Sequence, residues 1–470
     1  MKRNAASLFS LAFVCLILEL PLAWNAIAQA PAGNLKAGAA KVDIAPKDLT
    51  GLWMVWGQPF DGVHDPIYAR AVVVDNGTTT AAIISTDLVE FGDTTALRER
   101  IQRELSIPVD HIILSASHDH NAPRGGPITP GSSSAEGRPY SPPSYIQFVD
   151  DSIVEAVKKA KVAEQPARVG VGAGRADVNV YRNGYNGKGW GGADPDGPSD
   201  KTVWVVKVET LTGEPIALLM NYAVHSTVGG PQNTMVTGDL AGAAERFVER
   251  HYKDKAVALW TMGPAGDQNP KYDPAGGGMG GNGPKNTDNA AYEAMDAMGF
   301  IVGSEAILTA GRIKEMTSTA HIAAGESVFS CATVPQRQGP QNPPQSTLAS
   351  SAANRPATPP VGGGEMFKPN PNFHDTIPYP TSMKIHLNLI EINQIAITGV
   401  SGEVFTNIYL HLKKDSPLSN TIMVTMSNDR IGYIGDDASY DGAFRNASVV
   451  RGCAENGIVN GLVQMISANH

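Results

Sequence analysis

Two histidines two residues apart follow an apolar run in LSASHDHNAPRGG, Leu114 to Gly126. In an extended chain residues i and i+2 share a face, so His118 and His120 would project to one side and Asp119 to the other. Paired imidazoles on one face suit a metal ion or a polarised carbonyl, and they equally suit a solvated strand end. His225, in NYAVHSTVGG, stands just past the apolar run Ile216 to Tyr222, the same strand-end position as His118. Ligand-binding groups of open α/β sheets gather at the carboxyl ends of strands, so a shared site is the reading to test.

Three more segments have this layout, an apolar run leading into a polar, glycine-containing turn. In GPAGDQNPK, Gly263 to Lys271, Asp267 and Asn269 can orient a ligand or simply close an Asx turn. In GVSGEVF, Gly399 to Phe405, Glu403 begins an expected helix after the strand Gln394 to Thr398, where a carboxylate also favours the helix dipole. In NDRIGYIGDD, Asn428 to Asp437, Tyr433 lies between glycines and is either packing or a ligand. The H-x-H-x-D-H pattern of metallo-β-lactamases fails, because Ala122 and Pro123 stand where Asp and His are required. No H-E-x-x-H helix motif and no G-x-S-x-G nucleophile elbow is present.

The elements that must position these residues alternate between short β-branched runs and amphipathic stretches. Ala71 to Ser85 reads as a hairpin turning at Asn76 and Gly77, and Val203 to Tyr222 as a second around Thr212 and Gly213. Helices fit Thr94 to Leu105 and Tyr145 to Ala163. The runs His111 to Ser115, Ala256 to Met262 and Thr421 to Met426 read as strands that lead into polar segments. The expected fold class is α/β: a mixed β-sheet core with flanking helices and a site at the carboxyl ends of strands. Gly187 to Asp200 reads as a long loop, and the Pro/Gln/Ser-rich tract at about 334–364 as an insertion, because strand-like sequence resumes at Lys384 to Gly399. The Gly-rich run Ala275 to Gly283 lacks a Gly-Lys-Ser/Thr ending and reads as a surface loop.

Residues 1–30 read as an export signal: Lys2 and Arg3, an apolar run from Leu8 to Leu22, then small residues with cleavage near Ala28 to Ala30. Glu19 and Pro21 interrupt the run and argue against a retained anchor. No later segment is long and apolar enough to span a bilayer, so a soluble, periplasmic or secreted protein is expected. Cys331 and Cys453 would then share a compartment where a disulfide can form. The formal net charge of −9 becomes one unit more negative when Lys2, Arg3 and Glu19 leave, which argues against a nucleic-acid partner.

Taken in order, seven segments resemble the neutral (non-lysosomal) ceramidase family: AAKVDIAPKD, GVHDPIYARAVVV, SASHDHNAPRGG, NYAVHSTVGG with VTGDLAG, GPAGDQNPK, VSGEVF and IGYIGDDASY. The resemblance implies a zinc amidase, with 31–470 as its catalytic domain, cleaving the N-acyl bond of ceramide or a related lipid-like small molecule. It implies a metal held by His118, His225, Glu403 and Tyr433, and places His120 on the substrate carbonyl or a bound anion. Arg182, in NVYRNGY, aligns with an arginine that shares this task. Zinc with nitrogen and oxygen ligands and an open position acidifies water, His120 and Arg182 can face the oxyanion, and His120 can protonate the leaving amine. Asp267, Trp53 and Trp56 are the expected substrate-binding residues; with Met54 and Val55 the tryptophans line a pocket mouth or belong to the core.

The departures from the family pattern bear on substrate. Asn269 stands where the family has serine in G-D-x-S-P, and it cannot serve as nucleophile or proton relay. Asp119, Ala122 and Arg124 replace smaller or uncharged family residues and are expected at the pocket mouth. The chain ends at His470, about where the family's catalytic domain ends, so no C-terminal immunoglobulin-like domain is expected. Two alternatives stand beside the ceramidase reading: a zinc hydrolase of a different amide or ester, and a relative that binds a ligand or glycan without turnover.

Overall fold

In Tyr68–Asp75 every other residue faces the same way: Ala69, Ala71 and Val73 join one apolar cluster, Val72 and Val74 another. A strand apolar on both faces must be covered on both, and that requirement sets the layers. The computed structural model describes residues 32–126, 141–185, 190–272, 289–334, 380–441 and 447–470. The expected signal at 1–30, the Gly-rich run at 275–283 and the Pro/Gln/Ser-rich tract beyond Val334 lie outside these residues.

Eight strands form one mixed sheet: β1 (Lys36–Asp43), β2 (Tyr68–Asp75), β3 (Thr80–Thr86), β4 (Ile112–Ala116), β5 (Gln165–Arg175), β6 (Thr202–Thr210), β7 (Pro215–Tyr222) and β8 (Val257–Met262). Their order is β8-β7-β6-β5-β1-β2-β3-β4. The expected hairpins are β2–β3 and β6–β7, and their turns place Gly77 at φ 87° and Gly213 at φ 91°, conformations that cost glycine nothing. A second sheet of four strands, β9 (Ile322–Ala332), β10 (Ser382–Ile392), β11 (Ile395–Val400) and β12 (Asn420–Val424), packs on the first. Val72, Val74, Ile83 and Ile113 meet Ile390, Ile392, Ile397, Ile422 and Val424 there. Each such side chain contributes about 1.5–3 kcal/mol on full burial, which makes this seam a rigid one.

Helices cover both outer faces. On the large sheet lie α1 (Thr95–Leu105), α2 (Pro143–Val162), α3 (Asp239–His251) and α4 (Asn289–Arg312); on the small sheet lie α5 (Thr406–Asp415) and α6 (Ala454–Ser467). The result is helices, sheet, sheet, helices. A disulfide between Cys331 and Cys453 ties β9 to the start of α6. The segment expected as a long loop, Gly187 to Asp200, contains a strand, Trp190–Asp194, paired with Asn179–Tyr185. Its glycine-rich sequence gave no β periodicity, and a neighbouring strand supplies what local preference does not.

The carboxyl ends of β3, β8 and β12 meet at one edge of the double sheet: the Ser85 hydroxyl donates to the Trp260 carbonyl, and the N–H of Thr425, just past β12, donates to the Met262 carbonyl at 2.9 Å. Asn428, just after β12, fastens that edge: its N–H donates to the Leu114 carbonyl at 2.8 Å, and its Oδ1 accepts from the Leu114 N–H at 2.9 Å. Loops from both sheets therefore open onto the same space. Among the described residues no helix is long and apolar enough to cross a membrane.

Candidate active site

Strand β4 ends at Ala116, two residues before His118. His118 adopts φ 59°, a left-handed conformation that costs a non-glycine residue about 1–2 kcal/mol. The two histidines are thus not neighbours on an extended strand, as their spacing suggested. Their rings converge through the turn instead, with His118 Nε2 and His120 Nε2 3.1 Å apart. The turn is held by Asp119, whose Oδ1 accepts from the Asn121 N–H at 2.9 Å, and by His120, whose N–H donates to the Ser226 carbonyl at 3.0 Å. That last bond brings the His225 loop alongside.

Hydrogen bonds fix two of the three imidazoles. His118 Nδ1 lies 2.8 Å from the Val89 carbonyl and His225 Nδ1 3.1 Å from that of Gln268. A carbonyl only accepts, so each Nδ1 carries the proton, and in a neutral ring Nε2 is left as a bare lone pair. Burial, with Arg182 nearby, pushes His225 down to about 3, so its ring is neutral. Burial and the neighbouring His118 and His225 hold His120 well below the usual histidine range.

Both lone pairs face the same atom. Glu403 Oε2 lies 3.3 Å from His118 Nε2 and 3.2 Å from His225 Nε2. Burial alone would keep Glu403 protonated, but the Arg430 guanidinium on its Oε1 opposes burial and favours the carboxylate, whose pKa lies well below the ordinary range. Acceptor against acceptor in a buried site is unfavourable unless a cation lies between them. The separations match the ~3.3 Å between neighbouring ligand atoms on a metal with bonds of about 2.0–2.1 Å. Among the described residues the metal-capable group is His118, His120 and His225, all buried, with ring nitrogens within 4.8 Å of one another. The donor set fits a divalent metal.

Glu403 does not begin a helix. It opens a two-residue strand, Glu403–Val404, paired in parallel with Tyr433–Ile434, and α5 starts only at Thr406. Tyr433 OH accepts from Arg182 Nη2 at 3.0 Å; burial raises its pKa and the Arg182 charge opposes that rise. The other Arg182 contacts are the Gly266 carbonyl at 2.7 Å and Asn269 Oδ1 at 3.1 Å. Asn269 is therefore an acceptor that steadies Arg182. Trp56 is buried with its ring 5.2 Å from that of His120, whereas Trp53 is half-buried and bridges to Pro59.

Asp267 turns away from the histidines. Its Oδ1 accepts from the Thr406 N–H at 3.1 Å and the Thr406 hydroxyl at 2.7 Å, so it holds the start of α5. The residues expected at the pocket mouth are also inside: Asp119, Ala122 and Arg124 are all buried. Arg124 Nε lies 2.7 Å from Glu90 Oε1, and Glu90 Oε2 lies 2.7 Å from Arg430 Nε. Arg430 Nη2 in turn donates to Glu403 Oε1. Sequence reasoning missed Glu90 and Arg430. Their one signal was charge inside apolar context, Glu90 in LVEF and Arg430 before Ile431, since buried charges must be paired.

The family described as neutral/alkaline non-lysosomal ceramidase, N-terminal, matches residues 38–290. The chain belongs to this family. Neutral ceramidase A of Dictyostelium discoideum is 27% identical over 276 residues, 53% of this chain and 37% of that protein. Neutral ceramidase B of the same organism is 25% identical over 256 residues, 51% and 35% respectively. The chain thus matches well under half the length of these curated relatives. The crystal structure of neutral ceramidase from Pseudomonas aeruginosa superposes with a TM-score of 0.67 at 17% identity, covering 93% of this chain and 74% of that one. The shared ceramidase fold extends past residue 290 to the strands that carry Glu403 and Tyr433.

Proposed function

We propose that this chain is a zinc-dependent hydrolase that cleaves the N-acyl bond of ceramide or a related N-acyl lipid. The observation that carries the reading is the pair of histidine lone pairs aimed at one oxygen of Glu403, at 3.3 and 3.2 Å, inside a ceramidase fold. His118, His225 and Glu403 would hold the ion, with Tyr433 as a fourth ligand brought in on the strand beside Glu403. Zinc held by nitrogen and oxygen ligands supplies Lewis acidity and a water acidic enough to attack at neutral pH.

The chain's own groups do the rest. His120, neutral because it is buried, can take a proton from the attacking water and pass it to the leaving nitrogen. Water adds to the carbonyl carbon, the C–N bond breaks, and the products are a fatty acid and an amine. Arg182 donates to the Tyr433 oxygen and places a positive charge beside the site, which favours both a tyrosinate and a developing oxyanion. Trp56 covers one side of His120 with apolar surface, excluding water and offering contact to an acyl chain. The Cys331–Cys453 disulfide supports function in an oxidising compartment, in keeping with an export signal.

The test is fatty-acid release from a short-chain N-acylsphingosine by purified protein, before chelation, after it, and with zinc restored. Zinc-reversible release is expected. A zinc-loaded protein that leaves the lipid intact overturns the substrate and favours another amide or an ester, which the engagement of Asn269 by Arg182 makes the second reading.

A further inference from the structure

Glu403 offers two carboxylate oxygens, and only Oε2 faces the histidines; Oε1 is held by Arg430. Arg430 does not stand alone. Its Nε lies 2.7 Å from Glu90 Oε2, and Glu90 Oε1 lies 2.7 Å from Arg124 Nε. Charges alternate along this line, and Arg124, Glu90, Arg430 and Glu403 are all more than nine-tenths buried. We propose that Arg124, Glu90 and Arg430 form a positioning chain that fixes Glu403 as a one-oxygen ligand and thereby sets how tightly the site holds its metal. The inference rests on the metal reading above.

Geometry gives Glu90 a second task. Its neighbour Val89 supplies the carbonyl that fixes the His118 tautomer, and the Glu90 carbonyl itself accepts from the Gly125 N–H at 2.9 Å. The Val89 N–H donates to the Pro123 carbonyl at 3.1 Å. One short stretch therefore grips the His118 loop through its backbone and Glu403 through a side chain and Arg430. His118 follows the large sheet and Glu403 the small one, so the seam between the sheets is bridged where the ligands must be in register. Without Arg430, two buried carboxylates would face one another; without Glu90, two buried guanidinium groups would. Buried ion pairs contribute little net stability compared with apolar packing, and fixing a geometry is their better-attested use.

Removing a group that orients a metal ligand weakens metal binding by about 10- to 100-fold. The experiment measures zinc affinity by chelator competition, and the absorption spectrum of the cobalt-substituted protein, for wild type, Arg430→Gln, Glu90→Gln, the double variant and Arg430→Lys. Expected are a loss of zinc affinity of about tenfold or more in each glutamine single variant and an altered cobalt spectrum. The double variant should lose no more than Arg430→Gln alone, and Arg430→Lys should recover part of the loss by restoring a charged donor to Glu403. A folded Arg430→Gln with unchanged zinc affinity and an unchanged spectrum overturns the proposal; if that variant does not fold, Glu90→Gln decides on the same two readouts. Wild-type protein that binds no zinc overturns the metal reading itself, which separates the two failures.

Discussion

Glu403 and Tyr433 are register partners in a two-stranded parallel ladder, so their side chains leave the backbone on the same side and two oxygen donors arrive together. The pairing is what supports Tyr433 as a ligand in the proposed site. Tyr433→Phe keeps the ring and its contacts but removes the oxygen to which Arg182 donates. Zinc should still bind in one equivalent, through His118, His225 and Glu403, while turnover falls by roughly two orders of magnitude with the loss of one ligand and of a fixed Arg182. Full activity in the zinc-loaded variant would remove Tyr433 from the site.

His118 and His120 are two residues apart and 3.1 Å apart at Nε2, and the proposed function gives them different work. His118 has its Nδ1 anchored on a carbonyl and its Nε2 aimed at Glu403, the arrangement of a ligand. His120 is buried beside Trp56, and its pKa is driven down. His118→Ala should abolish stoichiometric zinc and activity together. His120→Ala should keep zinc and lose about 10²- to 10⁴-fold in turnover, the usual contribution of a positioned acid or base. Metal analysis of the two purified variants decides the matter: loss of zinc in both would make His120 a ligand.

Several parts of this arrangement were legible in the sequence because they are local. Hairpin turns at Gly77 and Gly213, helix α1, and the strands ending before His118 and His225 follow from residue type and period alone. The convergence of five separated segments came from their order and family likeness, not from spacing. What stayed hidden depends on contacts between distant segments. Nothing near His118 announces a left-handed backbone, which is held by Leu88, Val89 and Ser226 from other segments. Glu403 looked like a helix start because Thr406 follows it closely, and only pairing with Tyr433, thirty residues on, makes it a strand. Arg124, expected at the pocket mouth, is instead buried against Glu90, which Arg430 holds from its other side.

A remote ion cluster gives a pH signature. Glu326 of β9 accepts from Arg98 of α1 at 2.6 Å and is hydrogen-bonded to His386 of β10. Burial would raise its pKa, but the bonds from His386 and Arg98 outweigh burial and pull it down to about 2. The folded state therefore binds fewer protons than the unfolded chain between about pH 4.3 and 2. The stabilisation is fully present above that range and is lost as pH falls through it. Because the side chain keeps some contact with solvent, about 1–2 kcal/mol is the expected size. Urea unfolding should show Glu326→Gln less stable than wild type by that amount at pH 7, with the gap narrowing below pH 4.5. A gap that stays constant down to pH 3 would assign the loss to packing.

The disulfide joins residues 122 apart in sequence and closes the segment that contains β10, β11, Glu403 and Tyr433. Cross-linking a loop of that size restrains the unfolded chain and typically stabilises a fold by about 2–4 kcal/mol. Cys331 lies near the carboxyl end of β9, at the end of the small sheet from which β11 leads to Glu403, and is buried in the core between that sheet and its helices. Cys331→Ala combined with Cys453→Ala should lower the unfolding free energy in urea by that amount, and a thiol reductant should do the same to wild type. Zinc affinity and turnover at 25 °C should be unchanged, because the ladder that pairs Glu403 with Tyr433 and the Arg430 contact to Glu403 do not pass through the bridge. A parallel fall in zinc affinity would mean that the bridge holds the two strands of that ladder in register, and would make the site sensitive to the redox state of its compartment.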